Sequence, residues 1–395
     1  MLKTDDPSAV AAIRDFLDEI SFAYMSYRLI PYHDTLIFPE FRVLQESIKG
    51  LNSIYRLVFS LFRQGHVADD AILRKALPKD LFDAFVSTGL LVQNERKQWR
   101  TPSLVIVPIE GLNLVVSTPP HYPTAITRKQ PIYIGIESLW LTRAIPARLG
   151  GRRVLDICSG SGIQGLICAA RGASHVVGLE MADEAVSISR FNVALNGFGD
   201  TVEIRQSDLF SALSEDEEFD FVISNPPFMP VMDDVDYPIC GTGGADGTRL
   251  LRLIYADLPK YLADGAEGVM FCNALGDQFS INFNREVLTP LAKEHNLCIR
   301  SYVNDKFTLD EYIVATLDGN LINTCPELTV EQRQQKIAAW QEELRQKGVE
   351  AGYIYGQILR FWKGRPEVGM TNLPSYNPYM TDPLVSKAMQ AKASA

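Results

Sequence analysis

The sequence predicts an α/β protein: a parallel sheet with helices on both faces, preceded by a smaller helical unit that ends in a β-ribbon. Three observations predict it. From residue 152 onward, apolar β-like runs alternate with helical periods, the rhythm of a parallel sheet. Residues 8–63 instead keep a helical apolar spacing, as in "AVAAIRDFLDEISF" and "LNSIYRLVFSLF". Between the two lies the proline-rich stretch "STPPHYPTAITRKQP" (117–131), a natural junction.

The chain has 395 residues, 46% hydrophobic and 22% charged, which suits a globular protein with a sizeable core. Its length fits one large domain and a smaller one. No apolar run is long enough to cross a bilayer, so no membrane partner is expected. The start, "MLKTDDPSAV", carries acids where a signal peptide carries basic charge, and the expected location is cytoplasmic. Six cysteines (Cys158, Cys168, Cys240, Cys272, Cys298 and Cys325) stand singly with no CxxC pair. That pattern favours buried, reduced thiols over disulfides or a zinc site, and no metal is expected. Net charge is −10; residues 1–118 carry 13 basic and 14 acidic side chains, residues 119–395 carry 25 and 34. Neither part shows the basic footprint usual for a protein that lives on nucleic acid.

Taken in order, residues 1–117 form the smaller unit. After the helices, "HVADDAILRKALPKDLFDAFVSTG" reads as two short helices, and the β-ribbon that follows gives a winged-helix-like order, a recognition domain for nucleic acid or protein. Its turn "NERKQWR" holds Arg96, Lys97, Trp99 and Arg100, either a nucleic-acid contact or an ordinary solvated turn. The large domain spans 118–365. "RRVLDICSG", "SHVVGLE", "TVEIRQSDLF" and "FDFVISN" are its first strands, with the helices "SGIQGLICAARGA" and "DEAVSISRFNVALNGF" between them. "EGVMFCNAL", "LCIRSYV" and "GYIYGQILRFW" follow, and "EYIVATL" also has strand-like spacing. "TVEQRQQKIAAWQEELRQKG" is helical. The segment 366–395, with little periodicity, is expected to be a loosely ordered tail.

The chemistry concentrates in two places. In "VLDICSGSGIQG" (154–165), Asp156 stands at a strand end, and Gly160, Gly162 and Gly165 follow where the backbone must bend and approach a ligand. The next strand ends on Glu180, at the spacing from which an acid can hold two ribose hydroxyls. The second place is "FDFVISNPPFMP" (219–230), where a strand ends on Asn225, two prolines and an aromatic. Asn-Pro often starts a surface turn. The alternative is a clamp. The Asn225 side-chain oxygen and the Pro226 carbonyl can accept both hydrogens of a planar –NH₂ group, and proline has no N–H to compete. Pro226 also holds Asn225 extended, and Phe228 can stack on a flat group.

The order "VLDICSGSG", "VVGLE", "QSDLF", "NPPF" resembles the class I S-adenosylmethionine-dependent methyltransferases, and more narrowly the "methyltransferase small domain" group with an N-P-P-[FY] motif. That group includes glutamine methyltransferases of release factors and N-methyltransferases of ribosomal RNA and adenine. The resemblance implies a Rossmann-like, seven-stranded sheet, S-adenosyl-L-methionine as cofactor, and N-methylation of a planar nitrogen. It implies that Asp156, Gly160 and Gly162 seat the methionine portion and Glu180 the ribose, with Met181 beside it. Asp208 and Leu209 would meet the adenine, and Asn225, Pro226, Pro227 and Phe228 the acceptor. The chain departs from the pattern at Cys158, where the family commonly has glycine. Tyr133 and Glu137, in "IYIGIESLWL", and Asp246, in "GTGGADGTRLL", are further candidates for the acceptor side; each could instead serve a helix face or an N-cap. The favoured substrate is macromolecular, a nucleobase amine in RNA or a glutamine amide in a protein. The rivals are a small-molecule N-methyltransferase and a non-catalytic winged-helix protein with a vestigial cofactor fold.

Overall fold

The computed structural model describes residues 1–29, 41–119, 132–232, 235, 237–346 and 352–372. Most of the proline-rich junction, and the chain beyond residue 372, lie outside the described residues.

The N-terminal unit opens with the helix Pro7–Glu19. Asp6 caps it by accepting from the Ser8 and Ala9 backbone N–H groups, and Pro7 takes the first turn, where its missing N–H costs nothing. The helices Asp70–Ala76 and Lys79–Ser87 are followed by β1 (Val92–Gln93) and β2 (Trp99–Arg100), and then by a hairpin of β3 (Leu104–Ile109) and β4 (Leu112–Ser117). The hairpin loop is Glu110-Gly111, both at positive φ, as a tight two-residue turn requires. Every residue of β3 and β4 is buried.

What covers the edge of β4 is a pair of side chains. Asn192 and Asn196, one turn apart on the helix Asp183–Leu195 and its C-cap, each bond the hairpin backbone as a strand would. Val115 N–H donates to Asn192 Oδ1 (2.7 Å) and Asn192 Nδ2 donates back to the Val115 carbonyl (2.9 Å). Asn196 makes the same pair of bonds with Asn113. The apolar interface behind them is continuous. Leu2, Ile13, Phe59 and Val115 belong to the same buried cluster as Val154, Phe221 and Phe271 of the large sheet.

That sheet has eight strands among the described residues: β5 (Arg153–Ile157), β6 (His175–Glu180), β7 (Val202–Gln206), β8 (Phe219–Ser224), β9 (Leu262–Gly276), β10 (Leu297–Thr308), β11 (Tyr353–Lys363) and β12 (Glu367–Asn372). Their spatial order is β12-β10-β11-β9-β8-β5-β6-β7. The pairs from β7 to β9 are parallel, and β11 runs antiparallel between β9 and β10. The chain winds outward from β5 through β6 to β7, then crosses to β8 on the other side. The C-terminal ends of β5 and β8 therefore flank a switch point, where open α/β sheets bind ligands.

Two expectations need correction. The sheet has an eighth strand, because Glu367–Asn372, read as the start of a loose tail, pairs in parallel with β10. Arg300 holds Glu367 at the start of that pairing (2.9 Å and 3.0 Å). The run "EYIVATL" is helical, within Leu309–Tyr312 and Ile313–Leu317. A capping box of Thr308 and Glu311 starts the first of these helices. Tyr312, Leu317 and Leu321 then bury one face with Val231, Met232 and Trp340. The T-x-x-E spacing of Thr308 and Glu311 was the sequence signal for it.

Candidate active site

At the end of β5, Asp156 is buried among apolar neighbours. Its Oδ2 accepts from Ser159 Oγ (2.8 Å) and from the Gly165 N–H (3.0 Å), while Oδ1 is buried with no partner. Burial pushes this carboxyl up to about 7 despite the two donors. The loop above it turns through Cys158 (φ 58°), Gly160 (φ 56°) and Gly162 (φ 79°). Glu180, at the end of β6, holds that loop: its Oε2 accepts from the Gly160 N–H and its Oε1 from the Ala182 N–H, each at 2.9 Å. Asp208 follows β7 and is exposed, and Leu209 beside it has φ 48°. Cys158 and Leu209, which follow β5 and β7, thus both carry left-handed backbone, a cost of about 1–2 kcal/mol each for a residue with a Cβ. Burial first, then the carboxylates of Glu180, Asp156 and Asp208, pushes the Cys158 thiol up, so it is no nucleophile. Met181 is exposed next to Glu180.

Across the switch point, Ser224 is anchored by its Oγ to the Ile157 carbonyl (2.7 Å), which fixes where β8 ends. Asn225 comes next. Its Nδ2 donates to Ser138 Oγ (3.0 Å), and its Oδ1 is buried with no partner. Ser138 is itself buried, in the first turn of the helix Ile136–Ala144. The Ser138 side chain and the Gly135 and Glu137 backbone favour the ionised form of the neighbouring Glu137 carboxyl. Burial nevertheless pushes Glu137 up to about 7. The carboxyl folds back against Gly135, where a Cβ would collide with it. Ser138 Oγ accepts from Asn225 Nδ2 and so leaves Asn225 Oδ1 facing away from the serine.

Phe228 follows the two prolines. It is half-buried, edge-on to Phe271 with ring centroids 4.8 Å apart. Beyond it Met229 pairs with the glycine-rich segment: Met229 N–H donates to the Gly241 carbonyl (2.8 Å) and Gly243 N–H to the Met229 carbonyl (2.9 Å). Burial, with smaller contributions from the charges of Glu180 and Glu137, pushes the Cys240 thiol of this segment up to about 12. Asp246 ties the same segment to the next helix, accepting from Thr248 N–H and Oγ1 (2.9 Å and 2.8 Å) and pairing with Arg252. Tyr133 is exposed in the extended segment before the helix Ile136–Ala144. In the ribbon turn, Trp99 faces inward: it is buried against Phe82 and donates from Nε1 to Asp70 (2.8 Å), which leaves Arg96 and Lys97 as exposed turn residues.

The crevice fits a group like S-adenosylmethionine. The orphaned Oδ1 of Asp156 asks for a cationic or N–H-bearing ligand, and Glu180 keeps lone pairs free for hydroxyls after its two backbone bonds. Sequence reasoning missed Ser138. A serine inside a helical run carries no chemical signal, and only the fold brings it to Asn225, 87 residues away. It also missed Phe271, which reads as one more core position of β9.

Residues 134–238 match the family described as the methyltransferase small domain. Among curated proteins, a Methanocaldococcus jannaschii protein provisionally named a protein N5-glutamine methyltransferase is 27% identical over 183 residues, covering 45% of this chain and 85% of its own length. A ribosomal protein uL3 glutamine methyltransferase of Bordetella pertussis is 33% identical over 127 residues, covering 30% of this chain and 42% of that protein. The chain thus spans less than half of that second relative. A solved structure of a T. thermophilus 16S rRNA N2 G1207 methyltransferase with AdoMet and guanosine aligns at a TM-score of 0.35 and 19% identity, over 82% of this chain and 69% of that one.

Proposed function

We propose that this chain, which carries a methyltransferase small domain, is an S-adenosylmethionine-dependent N-methyltransferase whose acceptor is the side-chain amide of a glutamine in a protein. The observation that carries the reading is the Asn225 amide, whose nitrogen is tied to Ser138 and whose buried oxygen is left without a partner. A buried acceptor left unmade costs about 1–3 kcal/mol, so a ligand donor is the natural partner. The same argument speaks against a vestigial fold, because Asp156 keeps a second unsatisfied oxygen across the switch point.

S-adenosylmethionine, when bound, supplies a methyl group on a cationic sulfur. Asp156 would hold its ammonium end, Glu180 its ribose hydroxyls, and Asp208, Leu209 and Met181 the adenine side, with Cys158, Gly160 and Gly162 shaping the loop. The acceptor amide nitrogen is a poor nucleophile because its lone pair is delocalised. Asn225 Oδ1 and the Pro226 carbonyl would accept its two hydrogens and hold the lone pair toward the methyl. Positioning of this kind, with water excluded, supplies most of the rate that such a site can give. Phe228 would cover the flat amide.

Protein is favoured over RNA on three counts. The named glutamine methyltransferases are relatives by sequence. The net charge of −10 opposes a polyanion. Phe228 spends part of its surface on Phe271, which leaves less for stacking a base. The test is to incubate the protein with methyl-labelled S-adenosylmethionine and a fractionated cell extract. Label should enter protein and appear as N5-methylglutamine after enzymatic digestion. Label in RNA or small metabolites would overturn the glutamine assignment.

A further inference from the structure

The sheet face that receives Phe228 has a layered composition set by register. Three strands contribute to each row. The lower row is Phe271, Ile358 and Tyr302, which pack into the core shared with the N-terminal unit. The upper row is Leu275, Ile354 and Phe307, and its first two members pack with Tyr312, Trp340 and Val231. Between them runs Asn273, Gly356 and Asp305. A polar row thus separates two apolar clusters, at the same end of the sheet as Asn225. The chain leaving β8 enters this seam: Phe228 packs against the lower cluster, and Met229 against the upper. Asn273 Nδ2 reaches the Met229 sulfur (3.9 Å).

A bulge lies beside the row, and the carboxylate within the row is unpaired among the described residues. Register slips at a bulge between Val303 and Asp305, and Asn304, the extra residue, has a buried Oδ1 with no partner. Bulges commonly re-aim side chains beside functional sites. The Asp305 carboxylate is half-covered, with no hydrogen bond or ion pair to it among the described residues, and burial alone pushes it up to about 6. Gly356 leaves room in the middle. A Cβ there would lie 3.3 Å from Asn273 Oδ1, 3.5 Å from Asp305 Cβ and 3.7 Å from Phe271 Cζ.

We propose that Asn273 and Asp305 line a substrate subsite that takes N–H donors of the polypeptide flanking the methylated glutamine. The inference rests on the glutamine reading above. Its chemistry is specific: the row presents oxygen acceptors and a carboxylate, which suit backbone N–H groups or a basic side chain and repel phosphodiesters. Its place sets the reach. Asp305 is three strands from β8, about 14 Å at the spacing of paired strands, which an extended peptide covers in about four residues. The subsite therefore reads sequence around the glutamine, while Asn225 holds the amide.

Saturation kinetics of labelled methyl transfer into the protein fraction of a cell extract would test this, with Asp305→Asn and Asn273→Ala beside the native protein. Each variant should raise the apparent KM about tenfold, the scale of one lost hydrogen bond to a charged or buried acceptor. Their kcat and their calorimetric affinity for S-adenosylmethionine should stay within twofold, and Asp305→Asn should melt no lower than the native chain. An unchanged KM in both variants overturns the subsite while leaving the glutamine reading intact. So does a lower melting temperature for Asp305→Asn, which would make it a structural residue. Label from the native protein in RNA, or in neither fraction, overturns the glutamine reading and the polypeptide ligand with it.

Discussion

The two halves of the crevice are built by different means. On the side proposed for the cofactor, one β-α-β unit supplies Asp156, the glycine loop and Glu180, and backbone N–H groups hold the carboxylates. On the acceptor side, Asn225 is held by a side chain on a helix 87 residues earlier. The polar row beyond it draws on strands separated by up to 83 residues of chain, Asn273 and Gly356 being paired across β9 and β11. A half anchored by local backbone tolerates changes among its neighbours. A half anchored by side chains from distant elements can be retuned one residue at a time. The cofactor half is therefore expected to be the conservative part of the machine and the acceptor half the part that sets its substrate.

The comparison breaks most sharply at Asn225. Asn225→Ala removes the free acceptor and leaves every bond to Asp156 and Glu180 in place. Methyl transfer should fall by about 10²–10³, the range seen when one transition-state hydrogen-bond partner is removed. Calorimetric affinity for S-adenosylmethionine should barely move. Parallel loss of cofactor binding would show that the two halves are one structural unit.

The converse change is Glu180→Ala, with an expected loss of about 1.5–3 kcal/mol in cofactor affinity, the scale of a charged hydrogen bond. Unchanged affinity in a folded variant would remove Glu180 from the cofactor half. The same half carries a pH signature. Asp156 is raised to about 7 in the folded chain from an ordinary carboxylate value. The folded state then binds the proton more tightly than the unfolded state. Its contribution to stability is fully present below about pH 4 and is lost as pH rises through about 7. The cofactor-free protein should melt lower at pH 8 than at pH 6, and Asp156→Asn should flatten that slope. Glu137, also raised to about 7, adds a share of the same sign from the acceptor side. Melting that is independent of pH in the native protein would contradict both.

The same contrast explains what the sequence disclosed. Asp156, Gly160, Gly162 and Glu180 lie in a short stretch where strand, turn and helix signals coincide, so spacing alone exposes them. Asn225 was legible because two prolines make its backbone unusual. Ser138 and Asp305 were not, because a serine in a helix and an aspartate in a strand look like ordinary surface positions until the fold places them. The helical identity of "EYIVATL" lost to its β-branched content, although the Thr308 and Glu311 capping box stood just before it. Residues 367–372 have no apolar alternation to mark a strand; they join the sheet as its edge, beside β10, where half of the backbone needs no partner.

The smallest expected effect tests the hinge between the halves. Ser138→Ala leaves Asn225 itself in place and removes only what orients it. With Ser138 present, its Oγ accepts from Asn225 Nδ2, which fixes the amide with Oδ1 facing away. Without the hydroxyl, the amide is free to flip, and half of its orientations point a donor at the acceptor's hydrogens. One net hydrogen bond is worth about 0.5–1.5 kcal/mol, so kcat should fall by about two- to tenfold, well short of Asn225→Ala. KM and cofactor affinity should not change. The Asn225→Ala, Ser138→Ala double variant should lose no more than Asn225→Ala alone, because the serine acts only through the amide. A double variant in which the two losses multiply would give Ser138 a role independent of the amide.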